Sequence, residues 1–204
     1  MDSQPDIIAL LGIAASVSLL AGWRLYLCIL ATGLAMRYHI VPLPEHLHAL
    51  RVLANPWVLG AAGLAAVCEF FADKVPWLDT IWDTIHTAIR PVGGALLATA
   101  IVDPSDPRVQ VVAFILGGGG ALLAHSGKAG ARAVVNVSPE PFSNIALSTA
   151  EDATTSALLY VVYTYPHVSG AIAIGLLVLT VGMVFIAWKI IGRVFHRKSA
   201  VPRA

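Results

Sequence analysis

The sequence predicts an all-α polytopic membrane protein with about six transmembrane helices, on three observations. Only 12% of its 204 residues are charged, about half the roughly 25% of an ordinary soluble domain. Mean hydropathy is +0.77. The uncharged residues are gathered into runs, the longest spanning 36 residues at 153–188. An apolar content of 57% sets aside a disordered chain. A net charge of +1 gives no basic excess, so nucleic acid is not an expected partner. The partners expected are the lipid bilayer and a small ion or solute, with a homo-oligomer left open. A single membrane domain over 1–204 is expected.

Each span follows from the charge-free runs, since a crossing needs about 20 mostly apolar residues. Residues 7–36 form one long element interrupted by Gly22-Trp23-Arg24. Residues 57–73 run from just after Asn55-Pro56 to Asp73, with Glu69 inside. The segment 76–90, PWLDTIWDTIHTAIR, reads as an interfacial amphipathic helix. Its Asp79, Asp83, His86 and Arg90 recur at i, i+4, i+7 and i+11, while Trp77, Ile81, Ile85 and Ile89 take other faces. The short run 91–102 borrows from that helix across Arg90-Pro91, giving a span near 84–103. Residues 109–134 form the fourth and contain Gly117 to Gly120, then His125, Lys128 and Arg132. The glycines either admit a close neighbour or break the helix. The run 153–188 would reach about 54 Å as helix, too long for one crossing. Tyr165-Pro166-His167 divides it, so the fifth span extends back over Glu151-Asp152, giving 141–165 and 168–192.

Lys/Arg asymmetry sets the orientation. A basic tail over 193–204, preceded by Lys189, places the C-terminus in the cytoplasm, and an even number of spans brings the N-terminus there too. Nine Lys/Arg then lie inside and three outside (Arg37, Arg51 and Arg108), with Arg24 intramembrane. The location expected is a bacterial cytoplasmic (inner) membrane. A cleaved signal peptide is not expected, because residues 1–6 lack Lys and Arg and carry two Asp. Cys28 and Cys68 read as core thiols.

Six spans divide into two candidate half-repeats, 1–105 and 106–194. In the first, Asn55-Pro56 precedes a helix whose Glu69 comes 13 residues after the Pro. In the second, Ser138-Pro139 precedes a helix whose Glu151 comes 12 after the Pro. Gly22-Trp23-Arg24 is echoed by Gly130-Ala131-Arg132. A 3+3 inverted repeat would bring Glu69 and Glu151 together near the midplane.

The chemistry-bearing residues lie in or beside these spans. Asn144, Ser148, Glu151 and Thr155 make a polar stripe at i, i+4, i+7 and i+11, with Asp152 and Ser156 alongside. Ionisable groups in a span are expensive and mark a pathway or site by default. The competing reading is interhelical glue, with the acids paired to Arg24, Lys128 or Arg132. Glu69 and Asp73 share a face, with Lys74 beside them. The expected ion or substrate pathway is Glu69, Asp73, Asn144, Ser148, Glu151 and Asp152, with Arg24, Arg90, Lys128 and Arg132 as counter-charges or anion ligands. Asp79, Asp83 and His86, or Glu45-His46-Leu47-His48 with His39, are weaker candidates for a metal, and no cofactor motif is present. Asn136-Val137-Ser138 is a glycosylation sequon that the predicted cytoplasmic side argues against.

Residues about 10–165 resemble a bacterial membrane family catalogued as domain of unknown function 4126. The resemblance rests on Asn55-Pro56-Trp57-Val58-Leu59-Gly60, EFFADKVPWLDTIWDTI (69–85), Arg90-Pro91-Val92-Gly93-Gly94-Ala95, AHSGKAGARAVVNVSPEPFSN (124–144) and Glu151-Asp152. It implies a polytopic bacterial membrane protein. The chain is more faintly similar to cation/proton exchangers with Glu-x-Gly-Asp-Lys-Ser/Thr motifs in two inverted halves. Glu69, Asp73 and Lys74 here make E-x-x-x-D-K, one residue longer and without the glycine.

The expectation is therefore a small transporter or channel-like carrier, proton- or cation-coupled through the acids. The alternatives are a lipid-binding or lipid-translocating protein recognising anionic headgroups, and a membrane scaffold. An enzyme is not expected, because no nucleophile or metal motif supports His125 or His86.

Overall fold

The computed structural model describes residues 7–40, 45–102, 105–135 and 142–199, and these are helical apart from short turns. Among the described residues six α-helices follow one another: α1 (Ile7–Tyr38), α2 (Pro56–Ala72), α3 (Pro76–Ile101), α4 (Pro107–Val135), α5 (Phe142–Thr164) and α6 (Ser169–Ser199). A 3-10 helix, Glu45–Ala54, leads into α2, and a short one, Pro166–Val168, separates α5 from α6. Ser138-Pro139, the Asn136 sequon, Asp103 and the end of the basic tail lie outside the described residues.

Local chemistry sets the boundaries. Asn55 caps α2 by accepting from the Trp57 N–H at 2.9 Å, and Pro56 takes the first helical position. Pro76 begins α3 in the same way. At the start of α4, Asp106 accepts from the Arg108 N–H at 2.9 Å.

Helix α1 is the axis of the molecule and contacts all five others. It is broken once, at Arg24, whose backbone is non-helical at φ −142° and ψ 71°. The expected interruption thus falls where Gly22-Trp23-Arg24 placed it. The tetraglycine of α4 does not break its helix, which runs unbroken from Pro107 to Val135. These glycines instead admit neighbours. A side chain at Gly117 would meet the Ala98 Cβ at 2.5 Å and the Gly94 carbonyl at 2.8 Å, both on α3. Gly22 of α1 presses the same way on the Ala121 carbonyl and Ala124 of α4. Close backbone approach of this kind supplies the dispersion contact that holds helices together in lipid.

Segment 76–90 requires a correction. It is no separate interfacial helix but the first half of α3, which continues through Pro91 to Ile101. Its charged face points inward: Asp79, Asp83, His86 and Arg90 are buried, while Trp77, Ile81, Ile85 and Ile89 are exposed. A narrow charged stripe suits either water or a set of opposite charges on neighbouring helices, and here the neighbours supply the charges.

Among the described residues, charged side chains are buried beside an apolar core that includes Ile13, Val17, Leu20, Ile101 and Leu159, while many large apolar side chains face outward. The largest fully buried side chains include Arg24, Arg90, Arg132 and Lys128. Trp57, Leu64, Phe71, Val178 and Trp188 are exposed. Among the described residues three helices are long and apolar enough to cross a membrane: Ile7–Tyr38, Pro107–Val135 and the segment Pro166–Ile190. Such an outer surface is unstable in water and natural in a lipid bilayer.

Candidate functional site

The polar residues converge where the break in α1 meets the α2–α3 turn. Five helices contribute: Arg24 from α1, Glu69 and Asp73 from α2, Asp79, Asp83, His86 and Arg90 from α3, His125, Lys128 and Arg132 from α4, and Ser148, Glu151 and Asp152 from α5.

Asp73, the C-cap of α2, is the hub. Its carboxylate is paired with Arg24, with Arg132 at 3.1 Å and with Lys128 at 3.5 Å. Arg132 also donates to the Asp73 carbonyl at 2.9 Å, satisfying a backbone acceptor at the helix end. Arg24 spreads its fork over four partners. Beyond Asp73 these are Glu151 at 3.1 Å, Asp152 through Nε at 2.9 Å, and the Ser148 hydroxyl at 2.8 Å. A planar guanidinium serves several carboxylates at once in a way an ammonium cannot.

Lys128 lies between the two halves of the chain. Its Nζ is 3.6 Å from Glu69, 3.5 Å from Asp73 and 3.8 Å from Glu151. It also donates to the Trp23 carbonyl at 3.3 Å. Arg90 donates to the Gly22 carbonyl at 3.2 Å and to Glu69 at 2.5 Å. The break in α1 disturbs the helical bonding of its backbone, and carbonyls beside it are turned to the cations of α3 and α4.

The hydrogen bonds of His125 hold it neutral. Arg90 can only donate, so His125 accepts at Nδ1 (2.5 Å) and its Nε2–H faces the Asp83 carbonyl at 3.0 Å. His86 donates from Nδ1 to the Trp82 carbonyl at 2.7 Å, and its Nε2 shares a hydrogen bond with the Tyr26 hydroxyl at 2.9 Å. A second proton on His125 would point at a guanidinium.

The charge count is uneven. Four cationic side chains (Arg24, Arg90, Lys128, Arg132) face six carboxylates (Glu69, Asp73, Asp79, Asp83, Glu151, Asp152). Among the described residues, with every carboxylate counted as ionised and both histidines as neutral, the formal excess is two negative charges. Two spaces adjoin the cluster. A polar pocket of about 190 Å³ between α3 and α4 is lined by Asp79, Asp83, Thr84, Thr87 and Arg132. A larger cleft of about 630 Å³ lies between α2 and α5 on a floor of α1, with Glu69 and Asp152 in its lining.

Of the residues expected at the site, Glu69, Asp73, Ser148, Glu151 and Asp152 join the network together with Arg24, Arg90, Lys128 and Arg132. Asn144 is buried on the same face of α5, one turn before Ser148. Lys74 rests on Phe70 and donates to the Phe70 carbonyl at 2.9 Å. Its Nζ sits 2.9 Å above the Phe70 ring, and burial pushes it below its ordinary pKa, with Asp152 and Asp73 opposing. Sequence reasoning left Asp79, Asp83 and His86 out of the network. The signal was available, for their i, i+4, i+7 spacing continues to Arg90 as the α5 stripe continues to Thr155. Among the described residues no three His, Cys, Asp or Glu side chains are grouped to hold a metal ion.

A family profile described as "Domain of unknown function (DUF4126)" matches residues 11–185. No curated protein and no solved structure matches the chain.

Proposed function

The chain belongs to the DUF4126 family, and from that premise we propose that it is a small membrane carrier, coupled to protons or cations through its buried acids. The observation that carries this reading is the ten-group charge network around the break in α1. Burying an ionised group costs several kcal/mol even after relaxation, and apolar side chains of similar volume stabilise a core as well or better. Cohesion alone therefore does not account for ten of them. The two surplus carboxylate charges invite a proton or another cation. Discontinuous helices whose carbonyls meet charged groups are how many carriers build their sites.

In this reading the spans are 7–36, 57–73, 84–103, 109–134, 141–165 and 168–192, in two inverted halves. Support comes from Glu69 and Glu151, one from each half, which both lie within 4.0 Å of Lys128 Nζ. Cytoplasmic termini follow from Lys74, Lys189, Arg193, Arg197, Lys198 and Arg203 set against Arg37, Arg51 and Arg108. Arg90, Lys128 and Arg132 leave that count, since they serve the network. Neutralising Glu151 would loosen Arg24 and Arg132 together, and the broken α1 is the element that can repack in response. The alternative of anionic headgroup recognition draws less support, since these basic groups are directed at carboxylates inside the bundle.

The test is flux in proteoliposomes with a trapped pH-sensitive dye. The parent is expected to dissipate an imposed pH gradient when cations are supplied outside, and Glu151→Gln to lose that response. A parent protein as tight as empty liposomes across a panel of inorganic and organic cations would leave the network a scaffold.

A further inference from the structure

We propose that the cleft between α2 and α5 binds lipophilic organic cations, with Asp152 as the charge partner and the walls of α1 and α2 as the apolar seat. This deepens the carrier reading, on which its transport role rests, by naming the substrate class.

The size is right. At about 630 Å³ the cleft lies within the roughly 300–1,000 Å³ of small-molecule sites. Its walls are apolar, built from Leu27 and Leu30 of α1 and Val67, Phe70 and Phe71 of α2. An inorganic ion would gain nothing from such walls, whereas a cation carrying hydrocarbon or aromatic groups would bury them there.

The charge is right as well. Asp152 lines the cleft and keeps 32% of its side chain exposed, unlike the other acids of the network. Its partner Arg24 is divided among Asp73, Glu151 and Asp152, so one cation serves three carboxylates. Glu69 stands on the opposite wall and leans on Arg90 and Lys128. A ligand cation beside Asp152 would offset part of the network's surplus negative charge. Phe70 of the cleft wall already carries one cation–π contact, for the Lys74 ammonium lies on the face of its ring.

The same features disfavour the other occupants. An anionic headgroup would meet two carboxylates. A bare alkyl chain would leave Asp152 and Ser156 in contact with hydrocarbon.

The experiment is calorimetric titration of the full-length protein in lipid nanodiscs with tetraphenylphosphonium, using tetraphenylborate as a probe of the same shape and opposite charge. Two variants are compared. Asp152→Asn removes the charge. Gly63→Leu fills the cleft from α2, where a new Cβ has only Leu30 at 3.9 Å as neighbour, so the helix tolerates it. Melting curves confirm that both variants fold. Saturable binding of the phosphonium is expected, weakened about tenfold or more by Asp152→Asn and lost in Gly63→Leu, with no binding of the borate. Equal binding of both probes, or phosphonium binding indifferent to both variants, would overturn the site. Binding with these signatures but without flux would remove the carrier reading and leave the site standing. Flux with indifferent binding would do the reverse.

Discussion

At the scale of single residues, Arg24 is the most consequential side chain in the protein. It is fully buried and holds Asp73, Glu151, Asp152 and Ser148 at once. Arg24→Gln takes one cationic partner from each of Asp73, Glu151 and Asp152, of which Asp73 and Glu151 keep Lys128 and Arg132, and removing one partner of a buried pair costs about 3–5 kcal/mol. Arg24→Lys keeps the charge but not the fork and is expected to recover only part of that loss. Pairing Arg24→Gln with Asp73→Asn should cost less than the sum of the two single changes, because each removes the charge the other stranded. Denaturant unfolding in detergent micelles measures all four. Additive losses would mean that the two groups do not act on each other.

At the scale of elements, the four glycines of α4 are unequal. Gly117 faces Ala98 and Gly94 of α3, whereas Gly119 points into open space. Gly117→Leu is expected to destabilise by about 1–3 kcal/mol or more through overpacking. Gly119→Leu is expected to be neutral or mildly stabilising, since leucine is the better helix former. Thermal unfolding of the two variants side by side is the check. Much at this scale was legible in the chain. The α5 stripe was visible because polar groups in a lipid-embedded helix have few reasons to recur on one face. The break at Arg24 was visible because glycine and a charge interrupt an apolar run. The direction of the α3 stripe was not visible, because period 3.6 reports that a face exists and not what it faces. Arg90 needed Glu69, 21 residues away, and His125, 35 away, and no local pattern carries such distances.

At the scale of the whole molecule, a cluster of charges is buried beside the apolar core and large apolar side chains cover much of the outside. Val178 on α6 is 67% exposed. On a water-facing surface Val178→Arg would be nearly silent. Facing lipid near a span centre it should cost about 2.5–3.5 kcal/mol of insertion, read as reduced recovery in the membrane fraction. The two cysteines make a complementary pair: Cys28 is buried as a core thiol, whereas Cys68, also expected in the core, is exposed on the outer face of α2. A membrane-soluble thiol reagent is expected to label Cys68 in the folded protein and Cys28 only after unfolding. The sequence made the membrane class legible through bulk composition. The pairing of charges emerged only from the packed bundle, because each of the four cations answers acids on at least one other helix.

The break in α1 also bears on how the protein is made. Helix α1 leaves the ribosome before α2 to α6, with an arginine at its middle. The acids that neutralise it follow 49, 127 and 128 residues later, at Asp73, Glu151 and Asp152. Until α2 and α5 arrive, that arginine has no partner of its own chain among these acids. The protein's biogenesis is in this sense retrospective: the acids of α5 neutralise an arginine of α1 synthesised long before them.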